Sequence, residues 1–369
     1  MKHTQSAPAG GREQDEAAPV PLVKIRGRGS AENPANRFER LSFEPDPALA
    51  AEAPPPGTVY LRDPARSLIV RNDSPDVGFD YGINPYRGCE NGCSYCFARP
   101  THEYLGFSAG LDFETRILVK EDAPEILRRE LSARGWKGDP IGMSGITDPY
   151  QPVESRLGLT RRCLEVLAEF RNPVAVITKR HTVTRDADLY GELARHQAAI
   201  VFMSVTSLDA GLQRIMEPRA ATPARRLDAV RVLADAGVPA GVLIGPVIPG
   251  LNDHEIPAIL EASAAAGASF ASYVALRLPH GVKELFASWL ERHFPDRRDK
   301  VLGRVRDMRG GKLYDSRYHV RGRGEGVYAD QLESLFRVTR RKVGLAERPP
   351  ALSSSAFRVP PGAQLGLFE

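Results

Sequence analysis

The residues of this 369-residue chain best suited to chemistry are three of its four cysteines, Cys89, Cys93 and Cys96, gathered in the stretch NPYRGCENGCSYC (84–96). Their spacing is C-x3-C-x2-C. Thiolates are the standard ligands of iron–sulfur clusters. Three of them can hold three irons of a four-iron cluster and leave the fourth open for catalysis. Gly88 and Gly92 can take backbone angles that let the loop wrap closely around such a cluster. The competing metal reading is zinc, with His102 completing a Cys3His set, although zinc sites favour paired C-x2-C units. Three structural thiols without metal are the remaining reading. A disulfide framework does not suit so short and odd-numbered a set. The opening MKHTQSAPAGGREQDEAAP has no apolar segment of the kind an export signal needs. Clustered thiols then point to metal in a reducing cytoplasm. With no run of about 18 apolar residues, no transmembrane helix is expected.

A framework must hold this loop. Short apolar runs at 141–146, 174–178, 199–205, 240–248 and 271–276 read as buried parallel strands, with a first strand near Gly82 to Tyr86 ahead of the cysteines. Between them lie the helix-period stretches PEILRRELSARG, LTRRCLEVLAEF, DADLYGELARH, TPARRLDAVRVLADAG and DHEIPAILEASAAAG. Several open at Thr or Asp and end at Gly, as capped helices do. Repeated strand–helix alternation predicts a parallel α/β barrel or open barrel. Residues 1–56, rich in Ala, Pro, Gly and charge, read as a disordered tail. Residues 57–281 read as the core barrel, 282–345 as a basic C-terminal extension, and 346–369 as a flexible tail. A net charge of +4 is too small to imply nucleic acid by itself.

Cys89-x3-Cys93-x-Tyr95-Cys96 resembles the cluster motif of the radical S-adenosylmethionine (SAM) superfamily. The words NPYRGCENGCSYCFARPTHEYLG, SGITDPYQPVE, MEPRAATPARRLDAVRVLADAGV and GPVIPGLND resemble its spore photoproduct lyase-like branch, also labelled DNA repair photolyase. The likeness spans roughly residues 60–345. It implies a partial (β/α)6 TIM-like barrel, a [4Fe-4S] cluster on the three cysteines, and SAM on the open iron. It also implies reductive cleavage of SAM to a 5′-deoxyadenosyl radical, with an electron donor such as flavodoxin or ferredoxin. In the family, strand ends on the cluster face bind SAM. That implies Asp148 for the amino group, though SGITD lacks the family's Gly-Gly-Glu form. It implies Lys179 and Arg219 for the carboxylate, since the Arg fork suits that shape. Ser204 and Thr206 fall to the ribose or carboxylate, and Ile248 and Gly250 to the adenine. Each has an ordinary alternative: a turn for Asp148, a solvated Lys179, and hydroxyls bonded to nearby backbone for Ser204 and Thr206. Spore photoproduct lyases use an extra cysteine as hydrogen donor. Here Cys163 sits at a core position of an apolar helix, which favours packing. No residue is assigned a catalytic role.

Arg297 to Arg323 holds ten Lys and Arg against three acids, either a phosphate footprint or a solvated face. Gln364, Leu365, Leu367 and Phe368, in QLGLF, resemble the peptide by which bacterial polymerases and repair proteins dock on the replication sliding clamp. The leading reading is a radical SAM enzyme acting on nucleic acid, in DNA repair or modification. The alternatives are the same chemistry on another substrate, and a zinc-stapled, non-catalytic nucleic-acid-binding adaptor.

Overall fold

Valine- and isoleucine-rich runs buried on both faces form the centre of the computed structural model, which describes residues 25–39 and 57–361. The strands are β1 (Val59–Arg62), β2 (Val70–Arg71), β3 (Tyr81–Ile83), β4 (Tyr86–Arg87), β5 (Arg116–Val119), β6 (Ile141–Met143), β7 (Val174–Thr178), β8 (Ala199–Ser204), β9 (Ala240–Val247) and β10 (Phe270–Ala275). The main sheet has the order β10-β9-β8-β7-β6-β3-β2. All its pairings are parallel except β2 with β3. Helices Ala123–Leu131, Leu159–Phe170, Ala187–Ala194, Pro223–Asp235 and Ile256–Ala265 connect the successive parallel strands. Six parallel strands in chain order with helical crossovers make the expected partial α/β barrel.

Local chemistry sets the boundaries. Strands β7, β8 and β9 carry fully buried Val174, Val176, Val201, Val242 and Ile244 because helices cover one face and the barrel interior the other. The apolar run at 141–146 yields a strand only to Met143. Ser144 and Gly145 then take φ of 153° and 146°, and the chain leaves the sheet. Helix Leu159–Phe170 buries Leu164, Leu167 and Phe170, with Cys163 at 0 % exposure among them. Helix Pro223–Asp235 starts after an extended Thr222, with Pro in its first turn, where a missing N–H costs nothing.

A second sheet of order β1-β5-β4 escapes the sequence reading. Strand β1 is mostly exposed and β4 has only two residues, so neither shows a clear apolar pattern. This sheet pins Tyr86 and Arg87 opposite Val119 and Leu118, directly ahead of Cys89.

Parts of both segments read as tails are placed on the barrel. Residues 25–39 lie against the cysteine loop, as described below. Beyond Ala346, which bridges to Phe270, the chain crosses the end of the sheet where the parallel strands begin. Ser353 N–H donates to the Gln197 carbonyl at 2.9 Å and Arg358 N–H to that of Phe170 at 3.0 Å. The Phe357 ring lies 6.4 Å from that of Phe170. These contacts supply apolar and hydrogen-bonding partners that composition alone does not reveal. The QLGLF motif lies outside the described residues. The basic extension forms helices Val282–His293, Pro295–Asp307 and Val327–Lys342. Much of its charge is engaged internally. Arg309 is buried and donates to the carbonyls of Leu276, Val320 and Arg321. Arg304 pairs with Asp253, Arg317 with Asp315 and Glu325, and Arg321 with Asp76. Among the described residues no helix is long and apolar enough to cross a membrane.

Close sheet packing depends on glycine within β9, beside the edge strand β10. A Cβ on Gly241 would lie 2.0 Å from the buried Phe270 ring, whereas one on Gly135 would meet nothing within 4 Å. Gly241→Ala is therefore expected to cost about 1–3 kcal/mol. In urea titrations this appears as a lowered midpoint at unchanged slope, with Gly135→Ala close to wild type.

Candidate functional site

The cysteine loop has no regular structure of its own, so neighbouring elements must shape it. It rests on segments that follow the C-terminal ends of the parallel strands. After β6, Thr147 Oγ1 donates to the Gly88 carbonyl at 2.6 Å, and Gln151 accepts from Glu90 N–H at 3.0 Å. After β8, the Met216 carbonyl accepts from Ser94 N–H at 3.0 Å. On its other side Cys89 N–H donates to the Phe113 carbonyl at 2.9 Å. Gly88 and Gly92 turn the loop with φ of 78° and 65°. Parallel α/β barrels present their sites at this end.

Cys89 and Cys93 are buried, Cys96 is half-buried, and none of the three is in a disulfide. Burial pushes all three thiols up; the Asp148 charge adds to this at Cys89 and the Glu217 charge at Cys93. Metal binding at this loop must therefore displace protons. The buried Asn91 Oδ1 and Ser94 Oγ beside them lack a protein partner. Three soft, unbridged donors on one wrapped loop suit a thiolate-held cluster with incomplete protein ligation. A zinc staple would need a fourth donor beside them, and His102 is the candidate. His102 Nε2 bonds the Arg116 carbonyl at 2.9 Å. Burial lowers its pKa to about 4, so the ring is neutral and packs against Phe107 and Phe113. Among the described residues no three His, Cys, Asp or Glu side chains converge as ligands of a single ion would.

Two buried ion pairs grip the loop. Arg99 is fully buried. Its Nε and Nη2 donate to the Cys93 carbonyl at 3.1 and 2.8 Å, and Nη2 meets Glu114 Oε1 at 2.5 Å. Glu114 also accepts the N–H groups of Gly29 and Ser30 at 3.0 and 2.8 Å. The segment Ile25–Ala31 thus becomes a strap across the loop, so close that a Cβ on Gly29 would lie 1.7 Å from the Gly92 carbonyl oxygen. The second pair joins Glu217 to Arg226, both fully buried. Glu217 also accepts from Tyr95 OH and from Thr206 Oγ1. Burial would raise its carboxyl, but Arg226 and then Lys179 outweigh this and hold it at about 2.

The structure brings three of the expected SAM contacts together. Lys179 Nζ donates to Ser204 Oγ at 2.5 Å and to the Gly245 carbonyl at 2.9 Å, with Thr206 Oγ1 at 3.5 Å and Glu217 at 3.4 Å. Lys179 is thus not simply solvated. Ile248 shares an apolar cluster with Cys93 and Tyr95. Its N–H is held by Asn252 Oδ1 at 2.6 Å. Gly250, at φ 78°, lets Arg304 approach. Asp148 is occupied by the protein. One oxygen accepts from Tyr150 N–H and Thr178 Oγ1, the other from Lys179 N–H and Asn91 Nδ2, all within 2.9 Å. It ties the cysteine loop to the ends of β6 and β7. Arg219 points to Glu90 at 3.2 Å, on the strap side. Arg99, Glu114, Arg226 and the strap were missed. The only sequence signals were an arginine three positions after Cys96 and a glycine-spaced basic run, neither of which announces a buried partner.

The strap and the Glu217 pair each yield a test. Gly29→Ala puts a methyl group against backbone that cannot yield. It is expected to cut the iron and sulfide retained after anaerobic reconstitution several-fold, while Gly57→Ala, in open space, leaves both unchanged. Glu217→Gln strands the buried Arg226 guanidinium at a cost of about 3–5 kcal/mol at neutral pH. The folded carboxyl pKa is depressed, so its stabilisation is fully present above the ordinary value of 4.5 and disappears as pH falls towards about 2. Denaturant titrations should show the gap between wild type and variant closing across that window.

Comparison with known proteins agrees with this geometry. Residues 83–262 match the model of the radical SAM superfamily. An uncharacterised protein of Mycobacterium tuberculosis, Rv2578c, is 36% identical over 232 residues, which cover 62% of this chain and 67% of that one. An uncharacterised protein of Methanocaldococcus jannaschii, MJ0683, is 29% identical over 184 residues, 50% of this chain and 66% of that protein. Among solved structures, spore photoproduct lyase complexed with dinucleoside spore photoproduct superposes with a TM-score of 0.53 at 17% identity, covering 78% of this chain and 80% of that one. The cysteine loop, its place at the mouth of a partial parallel barrel and the matched sequence together show that the chain belongs to the radical SAM superfamily of iron–sulfur enzymes, whose cofactors are a [4Fe-4S] cluster and S-adenosylmethionine.

Proposed function

We propose that Cys89, Cys93 and Cys96 are the cluster ligands and that the enzyme acts on nucleic acid, in DNA repair or modification. The observation that carries the first part is the set of three unbridged thiols on a loop gripped by two buried ion pairs at the barrel mouth. Cys89, Cys93 and Cys96 would hold the cluster, which would supply single-electron reduction for the cleavage of SAM.

The chain's own residues would bind and orient. Lys179, only 15% exposed, is held at the mouth by Ser204, the Gly245 carbonyl and Glu217, and its Nζ would face the SAM carboxylate. Thr206 and Ser204 fix the height of that ammonium. Ile248, in the same apolar cluster as Cys93, would offer an apolar face to the adenine, with Gly250 ending the turn after it. Asp148 acts as a positioning residue through Asn91 and Lys179. Ile146, packed against the loop's apolar side, helps to keep water from Cys89.

The nucleic-acid reading is supported by the likeness to spore photoproduct lyase, solved with a dinucleoside photoproduct, and by the clamp-like QLGLF at residues 364–368. A sliding clamp would be the partner of that peptide, and flavodoxin or ferredoxin the electron donor, in the cytoplasm. Cys163 has no part in this reading, because it is fully buried in the helix–sheet core.

After anaerobic reconstitution, reduction with dithionite in the presence of SAM is expected to release 5′-deoxyadenosine. Cys89→Ala, Cys93→Ala and Cys96→Ala should each abolish release and the cluster's absorbance, and Cys163→Ala should retain both. Ultraviolet-damaged DNA should stimulate release. Release that no nucleic acid alters would return the substrate to another class of molecule.

A further inference from the structure

One cavity lies on the strap side of the cysteine loop, among residues the proposed chemistry does not use. It measures about 170 Å³ and opens where the strap Ile25–Ala31 meets helices Ala210–Met216 and Val282–His293. Arg26, Arg28, Arg214, Arg292 and His293 line it, with no carboxylate among the lining residues. Arg28 is anchored, donating to the Glu114 carbonyl at 2.9 Å and to Thr58 Oγ1 at 3.1 Å. Arg292 is half-buried and donates to the neutral Ser288 Oγ at 3.3 Å. Burial, and for Arg28 the nearby Arg219 cation, oppose these charges; Glu114 and Glu90 favour Arg28 and Glu32 favours Arg292. Cations crowded into a concavity lower its free energy most by taking up an anion. Arginine forks match phosphate oxygens in pairs. At ~30 Å³ per water, this volume takes roughly one phosphate with a few waters, and no base and sugar besides. The C-terminal arginines are poorer candidates, because Arg304, Arg309, Arg317 and Arg321 are engaged within the protein.

We propose that this cavity binds a phosphate group, and that its source is the backbone of a nucleic-acid strand held beside the cysteine loop. Gly29 lines the cavity and also abuts Gly92, so the bound phosphate lies directly behind the loop that carries the thiols. The choice of source rests on the nucleic-acid reading above; the phosphate site itself does not.

The test uses the full-length, cluster-loaded protein. Inorganic phosphate is titrated by calorimetry, and a short labelled single-stranded DNA by fluorescence anisotropy between about 50 and 200 mM salt. Arg214→Gln and Arg292→Gln are each expected to abolish the phosphate heat and weaken DNA binding about tenfold. Each should also flatten the slope of log affinity against log salt by about 0.7, the share of one single-strand phosphate. Arg214 is exposed, so its substitution tests the site without threatening the fold. Arg231→Gln, outside the cavity lining and paired with Asp228 and Asp235, should change neither reading. DNA binding with unchanged affinity and slope in both variants overturns the phosphate site and leaves the nucleic-acid reading standing. Phosphate binding lost in the variants, with no DNA binding by wild type, supports the site, assigns it to free phosphate and removes the nucleic-acid reading. Absence of both kinds of binding overturns both.

Discussion

Two buried carboxylate–arginine pairs fix the shape of a loop that cannot fix its own. Arg99 with Glu114 holds the Cys93 carbonyl from one side, and Arg226 with Glu217 holds Tyr95 from the other. A buried ion pair is a poor source of net stability, because desolvation offsets much of the attraction. Its strength here is geometric. Each guanidinium has several donors in a rigid plane, and each carboxylate accepts from more than one direction. Arg99 uses this to join the loop to the Ala109 and Gly110 carbonyls as well as to Glu114. The loop is held at many points by few residues.

The same economy governs the barrel mouth. Glu217 serves Arg226, Lys179, Tyr95 and Thr206 together. Its ionised state is what permits a lysine to stand among strand ends with little solvent. Asp148 performs the matching task one strand away, where four donors use its two oxygens. Charge at the mouth is therefore set by residues beneath it, and the cysteine loop is registered against β6, β7 and β8 at once.

The sequence was most readable where one force acts alone. The run 174–178 became β7 residue for residue, because helices and barrel interior both demand apolar side chains there. C-x3-C-x2-C was readable because thiols are scarce and their spacing is chemical. Readability failed where partners are remote. Arg219 stood out beside Glu217-Pro218, yet Arg226, one helix later, is the residue that reaches Glu217. The run Arg26-Gly27-Arg28-Gly29 has the composition of a linker. Its glycine is required by contact with Gly92, which no local pattern records. Strand β1 is exposed and carries no core signal. Phe357 and its neighbours dock through single apolar and backbone contacts inside a Pro- and Ser-rich stretch.

The strap's attachment also bears on the order in which the protein is made. Gly29 meets Glu114 across 85 positions, and Tyr95 meets Glu217 across 122. Contacts so distant along the chain carry a loop-closure cost that must be met before they stabilise anything, so they form late. Synthesis from the N-terminus delivers the three thiols well before Glu217 and Arg226 exist. During that interval Arg99, Glu114 and the strap can already hold the Cys93 side of the loop, while Tyr95 still lacks its partner. The Glu217–Arg226 pair closes that interval when it takes up Tyr95.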